Sequence, residues 1–210
     1  PWCRIGKLNL NEALNKWDGD PVTVQYRTFL LNPGTPEGGI TFNDYMKAKG
    51  AENVNYDDFI KPIIIAGEKI GINFNFDGLR KISNTILGHR FMHITPENRK
   101  SKALDLLHTA YFETGYDISD MDILIEIAKK LDLDSEVIKN ELQGEGGKQE
   151  TLMDYYYAMH VGITGVPMFI FDNKAVLYGA QSPEKILETM KKAELLPDPV
   201  EVEEDAKMEN

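Results

Sequence analysis

The sequence has one cysteine, few basic residues and no long apolar run, and each shortage excludes a class of protein. The single cysteine, Cys3, excludes a disulfide within these 210 residues. The 23 basic residues are outnumbered by 34 acidic ones, whereas a nucleic-acid-binding surface carries basic clusters. No segment approaches the roughly 18 uninterrupted apolar residues of a membrane span, and no secretory signal pattern is present. We therefore expect neither nucleic acid nor membrane as a partner.

The composition is that of a globular chain with an uneven charge. Hydrophobic residues make up 42% of the sequence, and 210 residues are typical of one domain or of one domain with an insertion. Residues 198–210 contain six acidic residues and one basic residue, which is −5 of the net charge of −11. Because two prolines introduce this acidic run, we expect residues 197–210 to form a solvated tail.

The pattern of apolar residues predicts helices interrupted by a few strands. Apolar side chains at helical spacing predict a helix over 4–17, and alternating ones predict a strand over 22–31. Between 42 and 160 helical patterns dominate. We expect one of these helices to begin at the pair Thr95-Pro96 and another to be capped by Ser119.

The strand signal returns near the end of the chain. Residues 166–171 and 175–178 predict a hairpin around a turn at 172–174, and Ser182 opens a last helix. This order of elements predicts an α/β layer with a helical insertion. Pro167 at the start of a strand is unusual because proline donates no ladder hydrogen bond, and a cis bond there would mark a specialised feature.

Cys3 lies at the start of the first predicted helix. The unpaired N–H groups and the positive dipole end of a helix favour a thiolate over a thiol. A cysteine in this position is also commonly a small core residue. The position alone therefore does not decide between a reactive thiolate and a small residue of the core.

Several short segments of the sequence indicate a protein family only when they are taken together. They are 1–7 (PWCRIGK), 29–33 (FLLNP), 84–90 (NTILGHR), 111–112 (YF), 115–118 (GYDI), 165–169 (GVPMF) and 179–181 (GAQ). Together they resemble the DsbA-like thioredoxin-fold family over about 1–191. The resemblance is strongest to its FrnE-type branch, which has 2-hydroxychromene-2-carboxylate isomerases and kappa-class glutathione transferases among its relatives.

The resemblance implies a fold and a division into domains. The fold would be α/β, namely a thioredoxin-like layer with a large all-helical insertion. Residues 1–40 and 161–196 would form the thioredoxin-like domain, 41–160 the insertion and 197–210 the acidic tail.

The resemblance also implies a chemistry, that of a protein thiol–disulfide oxidoreductase. The family motif is Cys-Pro-Trp-Cys, so Pro1, Trp2 and Cys3 match its last three positions and Cys3 corresponds to the resolving thiol. Val166 and Pro167 match the family's cis-proline loop. The backbone of Val166 would there pair with an extended substrate segment.

The motif implies a residue that this chain lacks. The nucleophilic cysteine would stand immediately before Pro1, and the first strand of a thioredoxin-like sheet would precede it. Without that strand, the predicted strands at 22–30 and 168–171 would leave two unsatisfied edges about 9–10 Å apart. We therefore expect about ten further upstream residues ending in cysteine. Direct pairing of these two segments would contradict this expectation.

The insertion offers further candidate site residues. Through the resemblance, Asn84, Thr85 and His89 are expected to line a substrate cleft. His89 and His93, four residues apart on a predicted helix, would also suit a metal, but no third ligand is evident and we expect none to be bound. The run Tyr155–Tyr157 is predicted to pack in the core and cleft. The three isoleucines at 63–65 are predicted to lie on a buried helix.

Two other functions stay open at the level of sequence. Kappa-type relatives are glutathione-dependent isomerases or transferases, usually with serine at the active position, and Cys3 argues mildly against this function. The chain would otherwise be a non-enzymatic peptide-binding module. The expected partner is a disulfide- or dithiol-containing protein or a small thiol. No cofactor is expected beyond glutathione as a co-substrate, and the expected location is the cytoplasm. The sequence predicts no oligomeric state.

Overall fold

The computed structural model describes residues 1–77, 79 and 81–198, which divide into two compact units. The first comprises Pro1, Cys3–Ile5 and Val22–Thr164, and the second comprises Trp2, Gly6–Pro21 and the described part of Gly165–Asn210. The acidic tail predicted for 197–210 lies outside the described residues from position 199 onward. The domain boundaries predicted from the sequence stay a prediction.

The first helix forms as its apolar spacing predicts. α1 spans Trp2–Asn15 and begins two residues earlier than the pattern indicates. Leu10 and Ala13 on its apolar stripe are buried. After the helix, the indole of Trp17 donates a hydrogen bond to the carbonyl of Asp20.

The segment 22–31 has the side-chain alternation of a strand without its hydrogen bonds. The side chains that turn inward are those of Val24, Tyr26, Thr28 and Leu30. Those of Thr23, Gln25 and Arg27 are exposed. Within the described part of the chain, however, this backbone pairs with no strand, so the strand predicted here is wrong. A strand requires a neighbouring ladder, and the N–H of Thr28 donates instead to the carboxylate of Asp154, at 2.8 Å.

Helices make up most of the first unit. In chain order the elements are β1 (Ile40–Thr41), α2 (Phe42–Ala48), α3 (Tyr56–Glu68), β2 (Lys81–Ile82), α4 (Ile86–Ile94), α5 (Glu97–His108), a π-helical turn (Thr109–Glu113), α6 (Met121–Lys130), α7 (Ser135–Gln143) and α8 (Lys148–His160). β1 and β2 pair antiparallel, with Ile40 opposite Ile82. The main core lies where α4 to α7 meet, around Phe91, Leu124 and Leu131, which are fully buried.

Two predicted helix caps are corrected by the structure. Thr95 does not cap α5, because its hydroxyl donates to the carbonyl of Phe91 at the end of α4. α6 begins after Asp120 rather than after Ser119. The carboxylate of Asp120 accepts the N–H of Asp122, and Ser119 instead bonds to Asp117. In both places a neighbouring acceptor decides which residue caps the helix.

The C-terminal hairpin and helix agree with the sequence pattern. β3 (Met168–Phe171) and β4 (Ala175–Tyr178) pair antiparallel. Asp172 and Asn173 at the turn adopt positive φ values of 49° and 56°, which suit a tight hairpin turn. α9 spans Pro183–Leu195. Ser182 caps its N-terminus, because the hydroxyl of Ser182 accepts the N–H of Lys185.

Two predictions of burial hold only in part. On α3, Ile63 is buried but Ile65 is 45% exposed, because successive helix residues point in different directions. On α8, Tyr155 is partly buried. Tyr156 and Tyr157 are 65% and 52% exposed, so their predicted packing in the core is wrong.

Candidate functional site

Cys3 is the second residue of α1 and is partly buried. Burial raises the pKa of its thiol and outweighs two opposing effects, the positive charge of the N-terminus and then the hydrogen bonding to the backbone. The sequence left open whether the helix start makes this sulfur a ready thiolate, and the raised pKa does not favour one. Desolvation dominates, and the thiol is the resting form at neutral pH.

Arg4, the next residue, fixes the start of α1 in the first unit. Its side chain is 11% exposed and bridges three groups on α5 and the π-helical turn. Nη1 lies 2.8 Å from Oδ1 of Asp105, Nε donates to Oε1 of Glu113 at 3.0 Å, and Nη2 donates to Oγ1 of Thr109 at 3.3 Å. Charge-assisted bonds of this kind are stronger than neutral ones, so the backbone beside Cys3 is held firmly.

Pro167 belongs to a closely packed loop of the second unit. The Val166–Pro167 bond is cis. Gly6 of α1 contacts the proline ring so closely that an added Cβ would lie 2.9 Å from Cγ of Pro167. On the β4 side, the N–H of Gly179 donates to the carbonyl of Pro167 at 2.8 Å.

Two further motif segments of this unit are the start of α1 and the segment after β4. Trp2 is 39% exposed at the start of α1. Buried Asn9 donates to the carbonyl of Gln181 at 2.8 Å, which ties α1 to the segment after β4. The segments 165–169 and 179–181, which contribute to the family resemblance, are thus both connected to α1.

Asn84 uses its side chain within the protein. Its amide nitrogen donates to the carbonyl of Thr35 at 2.6 Å, and its oxygen accepts the N–H of Ile86 at the start of α4. Thr85 makes no capping bond with its side chain. The geometry gives Asn84 an architectural role, and its contact with substrate stays a prediction.

His89 is held in its neutral form. Burial lowers its pKa to about 4, the charge of a protonated His93 acts in the same direction, and Asp154 opposes both. Among the described residues, no three His, Cys, Asp or Glu side chains are placed to hold a metal ion together. A neutral, buried imidazole can take part in hydrogen bonding or packing at physiological pH.

A buried carboxylate, which the sequence reasoning missed, organises the groups around His93. Oδ1 of Asp154 accepts from Nε of Arg27 at 2.7 Å, and Oδ2 accepts the N–H of Thr28. Nε2 of His93 lies 3.0 Å from Oγ1 of Thr28 and 3.5 Å from Oδ2 of Asp154. The sequence does contain a signal, because Asp154 occupies the helical register of buried Thr151 and Ala158.

These groups form one wall of a cleft in the first unit. The cleft is open to solvent and has a volume of about 470 Å³. Its lining residues are Thr23, Gln25, Tyr26, Arg27, His93, Glu97, Lys100, Glu150, Met153 and Asp154. Arg27 forms an ion pair with Asp154, and Lys100 forms one with Glu97. An anionic ligand in the cleft would therefore compete with these carboxylates for both cations.

The predicted site residues fall in both units. Pro1, Cys3, Asn84 and His89 belong to the first, and Trp2, Val166 and Pro167 to the second. His89 does not line the cleft that His93 lines. Within the second unit the structure brings Pro167 into contact with Gly6, and within the first it places Cys3 beside the Arg4 network.

Comparison with known proteins identifies the family. The model of the DSBA-like thioredoxin domain matches residues 1–191. The chain therefore belongs to this family and has its thioredoxin-like fold, here mostly helical because of the insertion. Over 179 residues it is 26% identical to the uncharacterized protein YwbO of Bacillus subtilis (strain 168), with 84% of each chain covered.

Two solved structures share the fold. A probable DsbA oxidoreductase from Streptomyces coelicolor is 25% identical, with a TM-score of 0.83 over 96% of this chain and 88% of that one. A 2-hydroxychromene-2-carboxylate isomerase is 14% identical, with a TM-score of 0.61 over 92% of this chain and 89% of its own, which shows similarity of fold alone. No helix in the described ranges is long and apolar enough to cross a membrane.

Proposed function

We propose that this chain takes part in thiol–disulfide exchange, with Cys3 as the thiol that resolves a mixed disulfide. The observation that carries the proposal is the position of Cys3 at the start of α1, in the segment Pro1-Trp2-Cys3 of a DSBA-like thioredoxin domain. Similarity to a probable DsbA oxidoreductase over nearly the whole chain supports it. The assignment of a disulfide oxidoreductase activity rests on this support.

The chemistry requires two sulfur atoms on the protein. In the motif Cys-Pro-Trp-Cys, the first thiolate attacks a substrate disulfide, forms a mixed disulfide and expels one substrate thiolate. Cys3 then loses its proton and attacks the sulfur of the first cysteine. A protein disulfide forms, and the second substrate thiolate leaves and takes up a proton. The raised pKa of Cys3 keeps it protonated during the first step, so it does not compete for the substrate disulfide, and it ionises only for the second step.

The remaining motif residues act on substrate in this proposal. The backbone of Val166 pairs with an extended segment of a disulfide- or dithiol-containing partner, and the contacts of Gly6 and Gly179 with Pro167 hold that loop in place. Trp2, which is partly exposed, contributes contact surface in this proposal. A cytoplasmic location and glutathione as a co-substrate belong to the same proposal.

The two-thiol reaction is tested by extending the chain with one cysteine immediately before Pro1. We expect this variant to accelerate the reduction of insulin by dithiothreitol. The same extension with serine, or the cysteine extension combined with Cys3→Ser, should lack the activity. Circular dichroism of all three variants controls for folding. Equal rates for the cysteine and serine extensions would overturn the proposal.

The reactivity of Cys3 can be tested on the chain itself. Incubation with oxidised glutathione should join Sγ of Cys3 to one glutathione sulfur and release the other glutathione as a thiol. Intact-mass spectrometry should show one added glutathionyl group, and none for Cys3→Ser. A wild-type chain that stays unmodified at alkaline pH, where the thiolate forms, would argue against exchange at this sulfur.

A further inference from the structure

From Leu152 onward the outer face of α8 is apolar and aromatic, whereas the first turn of the helix carries the exposed charged residues Lys148 and Glu150. Seven exposed residues lie within little more than half of the helix circumference, and none carries a fixed charge. They are Leu152, Met153, Tyr156, Tyr157, Met159, His160 and, at the helix end, Val161. We call them the α8 face. A continuous exposed patch of this kind marks an interaction surface.

The opposite face fixes the rotation of the helix about its axis. Thr151, Asp154 and Ala158 are buried, and the carboxylate of Asp154 bonds to Arg27 and to the backbone of Thr28. These contacts anchor α8. If the helix turned its apolar residues inward, the carboxylate of Asp154 would lose its hydrogen-bond partners. The α8 face is therefore a fixed feature of the surface.

The tyrosines on this face are held by their neighbours. The guanidinium of Arg27 lies 5.7 Å from the ring centre of Tyr157, a cation–π contact. The rings of Tyr155 and Tyr156 lie 5.6 Å apart. Side chains that are already ordered lose little conformational freedom on binding, which favours association.

We propose that the α8 face is the interface of a homodimer, in which two α8 helices pack antiparallel across a twofold axis. Leu152, Tyr156 and Met159 follow the spacing of three and four residues at which helices interlock. A twofold interface must be complementary to itself, and a face made mostly of apolar side chains satisfies this requirement. The thiol chemistry of Cys3 has no part in this inference.

Size and charge both favour a second copy of the chain as the occupant. The two tyrosines and two methionines are each more than half exposed, and the face offers on the order of 600 Å² of side-chain surface. Flanking contacts would bring this near the roughly 800 Å² per partner of a stable interface. Since each copy carries a net charge of −11, a face that adds no acidic side chain is where two copies can approach with least repulsion.

The test is the mass of the full chain in solution, measured by sedimentation velocity from about 1 µM to about 1 mM. We expect the wild type to approach twice its 23.8 kDa as the concentration rises. Tyr156→Glu should raise the dissociation constant at least about tenfold, since it buries an unpaired carboxylate. Tyr156→Phe should leave it nearly unchanged.

Val137→Glu is the matched control, because Val137 is also apolar and 54% exposed but lies on α7. It should leave association unchanged. Circular dichroism establishes that each variant is folded. A wild type that stays monomeric up to about 1 mM overturns the proposal and leaves the α8 face to another protein. Equal weakening by Tyr156→Glu and Val137→Glu overturns it as well.

Discussion

At the scale of single residues, the buried imidazole of His89 makes the folded state sensitive to acid. Burial lowers its pKa to about 4, below the ordinary value of 6.5 that it regains on unfolding. Between these two values the unfolded chain binds more protons, so stability falls as the pH drops through this window. The pKa of His93 is also lowered by burial, and its contribution has the same sign.

His89→Gln should therefore reduce the acid sensitivity of the protein. Between pH 7 and pH 4, the shift of the His89 pKa to about 4 removes up to about 3 kcal/mol from the free energy of unfolding of the wild type. The variant should escape this part of the loss. Urea unfolding at both pH values measures it, with exposed His160→Gln as control. An equal loss in wild type and His89→Gln would show that His89 is not the group responsible.

For the residues of the site, the sequence predicts the position in a helix or motif better than the protonation state. The sequence indicates that Cys3 starts a helix and that His89 belongs to a motif, because both depend on neighbours in the chain. The protonation state of Cys3 was left open by the sequence, because burial depends on packing that no local pattern contains. Asp154 was missed for the same reason, since its partners Arg27 and Thr28 lie far from it in sequence.

At the scale of elements, the start of α1 depends on Arg4. Replacing Arg4 with methionine keeps much of the side-chain bulk but removes the bonds to Asp105, Glu113 and Thr109. We expect a loss of about 2 kcal/mol in the free energy of unfolding, because hydrogen bonds to charged groups are involved. Urea unfolding measures this loss.

The same variant should change the reactivity of Cys3, which is the one thiol of the chain. A loosened helix start exposes the sulfur, so alkylation by iodoacetamide should become faster. Lys102→Met, at an exposed position of α5, is the control and should alter neither quantity. Unchanged alkylation in Arg4→Met would mean that the network stabilises the helix without positioning the thiol.

Two buried helical glycines provide a matched pair for the loop at Pro167. In Gly6→Ala the new Cβ would lie 2.9 Å from Cγ of Pro167, whereas in Gly88→Ala the nearest atom is 3.4 Å away, in Ile118. We expect Gly6→Ala to lose about 1–3 kcal/mol of stability through overpacking. Gly88→Ala should gain up to about 1 kcal/mol from helix propensity. Equal melting temperatures for the two variants would contradict the close contact.

Elements defined by local contacts were predicted well, and those that need a distant partner were not. The hairpin at 168–178 and the cap at Ser182 depend on adjacent residues, and both are confirmed. The segment 22–31 shows the predicted alternation but has no ladder, because pairing requires a second strand that local sequence does not specify. The exposure of Tyr156 and Tyr157 likewise depends on which face of α8 packs.

At the scale of the whole molecule, the net charge of −11 opposes any association between copies. About half of it lies in residues 198–210, so the body of the chain is only mildly acidic. Repulsion between two such bodies acts over the Debye length, which shrinks from about 20 Å at 20 mM salt to about 6 Å at 300 mM. The apolar contact at the α8 face is insensitive to this screening.

Salt should therefore strengthen the proposed dimer. Between about 20 mM and about 300 mM sodium chloride, the dissociation constant should fall several-fold, because screening removes repulsion and leaves the apolar contact intact. Sedimentation velocity of the wild type at both concentrations measures the change, with Tyr156→Glu as a variant that should stay monomeric in each. A dissociation constant that rises with salt would indicate an interface held by ion pairs, for which the exposed Arg27 beside Tyr157 is available, and would contradict an interface held by apolar contact.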